Sequence, residues 1–414
     1  MPRSRTLLIV GLLALVAGAT GGLLGAHELL SGPSSAQKRA DARLHARVSR
    51  DVTKPGAVER RAAAGARTAP GRLPKPTLFV ASGGDDGGAC TAAAPCKTFD
   101  RAYHLARPGQ VVQLAGGRYG TQTITHDGAK TDEGCESDGM LGACVILAPA
   151  PGAHVQVDNL NLGATYGEPG PAALALVAGS GRTLETNSTN FNQVDEVSLW
   201  GLTQHNIYMA GGQDIGIRGG AIGDIRSADG THPEIQRVYG SDPVIVPTRL
   251  TIEGVRFHDI NTTSPTAHVD CLQIENADDV VIRGNTFERC GSVGLRMSYG
   301  SDSTAAPPQH VLIEDNHFGR CAATPVSECY YSAQLGVGKD VLVRRNTSEQ
   351  AFQSTGGEQY ASRVRYVRNL GPGVTCEAGI SYVGNVWVDG ACSKTDRQVG
   401  QARLEAALRR RLTG

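Results

Sequence analysis

The side chains best suited to chemistry in this chain stand in TAHVDCLQIENADD, where His268, Asp270 and Gln273 fall within six residues. A second polar cluster, THPEIQRVYG, precedes it and carries His232, Glu234, Gln236 and Arg237, and Arg296 follows in SVGLRM. Brought to one surface, these groups suit removal of a proton beside an anionic group. Arg296 or a bound calcium ion neutralises the anion, and His268 or His232 takes the proton. Two carboxylates facing each other across a bond would instead support hydrolysis, and Asp270 with Glu234 is the available pair. At a turn, His268 and Asp270 can also serve simply to satisfy backbone groups.

A repeated phrase supplies the elements that must position these groups. It reads LTIEGVRFHDI at residues 250–260, VVIRGNTFERC at 280–290, VLIEDNHFGRC at 311–321, and more loosely VLVRRNTSEQA at 341–351 and VRYVRNLG at 364–371. Anchored on Ile252, Ile282, Ile313 and Val343 the spacings are 30, 31 and 30 residues, and Tyr366 and Val383 follow at 23 and 17. A period in this range denotes stacked supersecondary units. Each phrase opens with the alternation of a half-buried strand. An Asn then recurs (Asn285, Asn316, Asn346, Asn369, Asn385), a residue that tolerates left-handed backbone and bonds locally in turns. Phe257, Phe287 and Phe318 follow in register, then Ile260, Cys290 and Cys321. The fold expected is all-β, a parallel β-solenoid whose core is a column of stacked like residues.

On that pattern Leu272 and Ile274 point inward and Gln273 points out. Counting back from each anchor aligns Gln273 with Tyr208, Arg296 and Gln334 on neighbouring coils. The expected site is therefore an exposed row of Tyr208, Gln273, Arg296 and Gln334. His268, Asp270 and Arg296 carry the chemistry there, and His232 and Glu234 reach over from a long loop at residues 227–247. A second long departure covers residues 298–309, and long loops in compact folds are usually functional.

Upstream, LFVAS is a first strand, Thr98 caps a short helix with Phe99, Ala102, Leu105 and Ala106 on its apolar side, and VVQLAGGRYG is the next strand and turn. With the repeats and the Asn series, this opening resembles the right-handed parallel β-helix proteins of the pectate-lyase-like superfamily over residues 78–389. The resemblance implies a right-handed parallel β-helix with a short N-terminal capping helix, and an exported protein acting on polysaccharide. Cleavage of a uronate-containing glycan by a lyase-type reaction is the activity it implies first. HVDCLQI lies where β-helix polygalacturonases carry N-T-D, but the next coil reads CGSVGLRM in place of a paired Asp-Asp, and the R-x-P-x-x-R signature of calcium pectate lyases is absent. The alternative is a non-catalytic solenoid displayed at the envelope, as a glycan binder, adhesin or spacer.

The remaining organisation follows from composition. Residues 1–30 read as a signal peptide or signal anchor, with Arg3 and Arg5 before an uncharged run from Thr6 to Ala26. Residues 31–75 are a basic Ala/Arg/Pro-rich linker, residues 76–395 the β-helix, and residues 396–414 a C-terminal amphipathic helix with Leu404, Leu408 and Leu412 on one side. Both readings of the N-terminus place the body outside the cytoplasm, secreted or held on the outer face of the cytoplasmic membrane. Thirteen Lys or Arg against four Asp or Glu in residues 1–75 leave residues 76–414 nine negative charges, because the whole chain is formally neutral. An acidic body argues against nucleic acid as partner. The partners expected are glycan, the membrane only through the N-terminal segment, and no second copy of the chain. Ten cysteines in an exported chain imply disulfides, and near neighbours suggest Cys90–Cys96, Cys135–Cys144, Cys321–Cys329 and Cys376–Cys392. Cys271 and Cys290 pair or stay buried, with Cys290–Cys321 a competing stacked pair. No C-x-x-C spacing is present to favour zinc.

Overall fold

The repeat predicts stacked parallel strands, and the computed structural model contains them. It describes residues 72–413 except 131–133, 137–140, 242–243, 265–266, 299–305, 323–330 and 355–360. The targeting segment, the linker as far as residue 71, and Cys329 lie outside the described residues.

The apolar opening of each phrase is a strand of one long parallel sheet, sheet A, whose strands pair in chain order from Pro76–Val80 to Ser381–Val383. Register holds across the repeats. Leu250, Val280, Val311 and Val341 are partners from coil to coil, as are Ile252, Ile282, Ile313 and Val343. All eight are 0% exposed. Burying each such side chain contributes roughly 1.5–3 kcal/mol of transfer free energy.

The other two faces share long strands in the early coils, as in His154–Leu162, Thr183–Asn192 and Thr203–Ala210. Beyond residue 203 they part. Thr203 and Gln204 pair with Ala221 and Ile222, whereas Tyr208, Met209 and Ala210 pair with Glu234, Ile235 and Gln236. The second of these faces bears the site.

The recurring Asn residues form an internal ladder, each at most 1% exposed. Asn316 Oδ1 accepts the backbone N–H of Asn285 at 2.9 Å and its side-chain N–H at 3.0 Å, while Asn316 Nδ2 donates to the Ile282 carbonyl at 2.9 Å and to Asn346 Oδ1 at 3.0 Å. The residue before each Asn has positive φ, as at Asp315, Arg345 and Arg368, so the chain turns at every step of the ladder. Asp396 closes it by accepting from Asn385. Beside the ladder Phe257, Phe287 and Phe318 stack at 4.8 and 4.9 Å between centroids, and Phe352 meets the last of them edge-on at 5.6 Å. The body is a parallel β-helix.

Helix α1, Phe99–Leu105, covers the N-terminal end, with Thr98 Oγ1 accepting the Arg101 N–H at 3.1 Å. Its buried side is Phe99, Ala102 and Tyr103, and Leu105 is exposed, contrary to the helical-wheel expectation. Tyr103 is drawn inward because its hydroxyl donates to the Ala172 carbonyl at 2.8 Å. Helix α2, Gln401–Thr413, packs Leu404 and Leu408 on the last coils. The coils themselves run on to Arg397–Gln398, which pairs with Val386–Trp387, two to three residues past the expected boundary.

Disulfides join Cys90–Cys96, Cys135–Cys144 and Cys376–Cys392, and Cys271 pairs with Cys290, which removes the stacked Cys290–Cys321 alternative. The Cys321–Cys329 pairing involves a residue outside the described ones. Next to Cys135, the Glu136 carboxylate takes both terminal nitrogens of Arg218, one of them at 2.7 Å, and both residues are 4% exposed. The Arg218 guanidinium also lies 5.1 Å from the Trp200 ring centroid. Among the described residues no helix is long and apolar enough to cross a membrane.

Candidate active site

Parallel pairing sets the outward row of the site face. It runs Asn190, Tyr208, Glu234, Gln273, Arg296, Gln334 and Gln353. This corrects the expected row in one respect. Tyr208 and Gln273 are not on neighbouring coils, because Glu234–Gln236 is itself a strand inserted between them. Glu234 therefore belongs to the sheet and not to an overhanging loop. The Tyr208 hydroxyl is taken up by the Gln236 amide, and Tyr208 lies outside the groove described next.

On this row a groove of about 660 Å³ is lined by His232, His268, Gln273, Arg296, Tyr331, Gln334 and Gln353. The short strand Leu272–Ile274 buries Leu272 and Ile274 and so turns Gln273 into the groove, and Leu295–Met297 does the same for Arg296. The segment before Gln273 is strapped to the next coil. Val269 N–H donates to Ser292 Oγ at 3.2 Å, Ser292 N–H to the Val269 carbonyl at 2.8 Å, and the Cys271–Cys290 disulfide follows.

That strap holds Asp270 completely buried. Its Oδ1 accepts the Val293 N–H at 3.2 Å, and its Oδ2 stands 2.7 Å from His268 Nε2. The same His268 nitrogen meets Nη1 of Arg296. The structure thus brings His268, Asp270 and Arg296 together: a part-exposed imidazole, a buried carboxylate behind it, and a guanidinium beside it at the groove surface. Among the described residues no carboxylate forms an ion pair with Arg296. Because Asp270 presents no oxygen to the groove, the facing pair of Asp270 and Glu234 required for hydrolysis is not formed.

A second chain of contacts fixes the other end. His232 places Nδ1 2.6 Å from the Gly230 carbonyl and Nε2 3.1 Å from Gln273 Oε1. Gln273 in turn donates to Glu275 Oε1 at 2.9 Å, and the Tyr239 hydroxyl donates to Glu275 Oε2 at 2.5 Å. Glu234 has no such partner among the described residues. Burial, reinforced by the Glu275 charge and partly offset by His232, raises its carboxyl above the usual range. Burial, with Tyr166 and Glu234 nearby, pushes Tyr208 up to about 12.

No carboxylate stands among the described residues that line the groove. Among the described residues the one metal-like cluster is Asp224, His258 and Asp259, on another face. There Arg289 already pairs with Asp259, with Nε at 2.6 Å from Oδ1. Arg296 is the one guanidinium among the described lining residues.

Sequence counting missed Tyr331 and Gln353. Tyr331 opens the strand that ends at Gln334, and Gln353 pairs with Gln334 after an interval of only 19 residues, outside the 30-residue period.

No family model and no curated protein matches the chain. Solved structures do. The pectate lyase Pel9A aligns over 80% of this chain and 80% of its own at 11% identity and TM-score 0.39. The Streptococcus pneumoniae surface protein and adhesin PfbA aligns over 67% and 84% at 11% identity and TM-score 0.35. The A-module of the Azotobacter vinelandii mannuronan C-5 epimerase AlgE4 aligns over 70% and 82% at 13% identity and TM-score 0.36. These values bear on architecture at most, and the chemistry of this chain rests on its own residues.

Proposed function

We propose that the groove binds a uronate-containing polysaccharide and cleaves it by β-elimination. The observation that carries this reading is the convergence of His268 and Arg296 at one open groove, with the buried Asp270 behind His268. Arg296 pairs with the uronate carboxylate and offsets the charge that develops on it as the neighbouring C5–H bond breaks. His268 takes that proton. The electron pair forms the C4–C5 double bond, the C4–O bond breaks, and the departing oxygen leaves with a proton from solvent.

The position of His268 Nε2 between two charged groups suits this step. As a neutral acceptor it takes an N–H from Arg296, and as part of an imidazolium it donates to Asp270. The Asp270 carboxylate thus stabilises the imidazolium formed when the ring takes the proton, while Arg296 holds the substrate carboxylate throughout. Gln273 on one side of Arg296, and Gln334 with its neighbour Gln353 on the other, offer amides to hydroxyl groups along the polymer. The disulfides accord with export to an oxidising compartment.

The test is incubation with a panel of polyuronates while following absorbance of the unsaturated product. His268→Gln should lower turnover by about 10²–10⁴-fold. Arg296→Gln should lower it too, with polymer binding also weakened. Absence of product from every polymer, with glycan binding unchanged in His268→Gln, would overturn catalysis and leave the chain a glycan-binding solenoid.

A further inference from the structure

The C-terminal end holds a second groove whose chemistry the cleavage site does not use. About 610 Å³ in volume, it lies between the last coils and α2, and its charged lining is entirely basic: Arg368, Arg397, Arg403 and Arg410. None of the four has a side-chain partner among the described residues. Elsewhere along the solenoid several arginines are matched by acids on the adjoining coil, as in Arg345 with Asp315, Arg289 with Asp259 and Arg256 with Glu288.

Arg368 shows how the pairing is broken. It occupies the same left-handed turn position as Asp315 and Arg345, two and one coils earlier, but the next residue in that column is Gly384. A Cβ at Gly384 would stand 3.9 Å from Arg368 Cγ, so the arginine stem lies across the glycine, toward the last coil. Arg397 is on that coil. Asp396 beside it accepts from the end of the Asn ladder and forms no ion pair with Arg397 among the described residues. Arg403 and Arg410 are seven residues apart on α2, hence on one face, and burial of Leu404 and Leu408 fixes which face turns to the solenoid. Four guanidinium groups are thus gathered on a body that carries nine net negative charges.

From this we infer that the C-terminal groove is a non-catalytic binding site for an acidic glycan strand. Its volume falls in the range of roughly 300–1,000 Å³ usual for ligand sites. Planar guanidinium groups suit repeated carboxylates or sulfates, which they can take two bonds at a time. Leu404 and Leu408 of α2 are buried against the coils and so are not offered to a bilayer. A concave groove under a helix also fits a single strand better than a flat anionic surface. The site would retain a polyuronate while the main groove acts, and in that respect it shares the polymer class proposed above, though none of the cleavage residues.

Titration of the whole chain with an oligogalacturonate and an oligomannuronate of defined length, a neutral oligosaccharide of equal length, and vesicles containing anionic lipid tests the inference. Binding should be confined to the oligouronates and should weaken with salt. Arg403→Gln/Arg410→Gln should reduce it about tenfold or more, leaving cleavage of short substrates unchanged. Arg368→Gln/Arg397→Gln, on the solenoid side, should do the same even where the α2 variant disturbs the helix. Unaltered oligouronate affinity in both double variants, or binding to the vesicles alone, overturns the inference. Arginine-dependent binding without unsaturated product would refute the cleavage reading and leave this one standing.

Discussion

Replacing Asn316 by Ala tests whether the internal amide ladder holds the coils together. Asn316 is 1% exposed, and its side chain makes four hydrogen bonds, two accepted from Asn285 and one donated to each of the Ile282 carbonyl and Asn346 Oδ1. At about 1 kcal/mol net for each, their loss amounts to about 4 kcal/mol. The Asn285 backbone N–H is left buried without its acceptor, which moves the expectation to the upper part of a range of about 3–5 kcal/mol. Against a usual total of about 5–15 kcal/mol, that is a large fraction. Urea unfolding followed by far-ultraviolet circular dichroism should show a lower midpoint at unchanged slope. Asn159→Ala is the control, because Asn159 is exposed and its one side-chain bond, to Thr121, is 3.4 Å long. It should shift stability by no more than about 0.5 kcal/mol. A loss below about 1 kcal/mol for Asn316→Ala, against the bond count just given, would refute the ladder's structural role.

Three further outcomes follow from the same contacts. Glu136→Ala, which leaves the buried Arg218 only its 3.9 Å contact with Glu253, should destabilise by about 3 kcal/mol in the same unfolding assay, and a change under about 1 kcal/mol would show that Glu253 or water takes over the pairing. Opening the Cys271–Cys290 bridge, which spans 19 residues, with a double Ser variant should cost about 3 kcal/mol and also lower turnover, because the bridge anchors the strap that bears His268 and Asp270. Undiminished turnover would separate the strap from the site. Glu234 is a carboxyl whose folded value is raised, chiefly by burial, so the folded state holds its proton more tightly than the unfolded chain. Stability should therefore fall as pH climbs from the ordinary carboxylate value of 4.5 through the raised one, and Glu234→Gln should flatten that limb; an unchanged pH profile would contradict the burial assigned to it.

The architecture was legible because the repeat writes one physical constraint many times. Val280, Val311 and Val341 must fill the same slice of core, and Asn285, Asn316 and Asn346 must turn the chain at the same corner. Identical environments select similar residues, so a spacing near 30 is visible without any structure. Where a contact depended on a partner far away, sequence said less. Leu105 fits a helical wheel as well as Tyr103 does, and only the Ala172 carbonyl, remote in sequence, makes Tyr103 the buried one.

The site face was harder to read for a geometric reason. Sheet A advances by 30, 31 and 30 residues over the repeats, but along the site row the steps from Glu234 to Gln273, Arg296, Gln334 and Gln353 are 39, 23, 38 and 19. Insertions between coils enter on either side of this row, so the period that aligns the scaffold does not align the site. Gln273 and Gln334 each stand nine residues before their anchors, Ile282 and Val343, whereas Arg296 stands 17 before Ile313, so the offset is kept at two of the three. Counting from anchors passed over the strand at Glu234, whose two neighbours in the row are set by loops of unequal length. A scaffold position answers to the coil above and below it, whereas a groove position answers also to a ligand, and no repeat is required there. His268 and Asp270 precede their strand and Arg296 is the one guanidinium in its row, so the grouping of the three needs a reason outside the stack. The hydrogen bond from His268 to a buried Asp270 supplies part of that reason, and the guanidinium beside it, unmatched by any described carboxylate, supplies the rest.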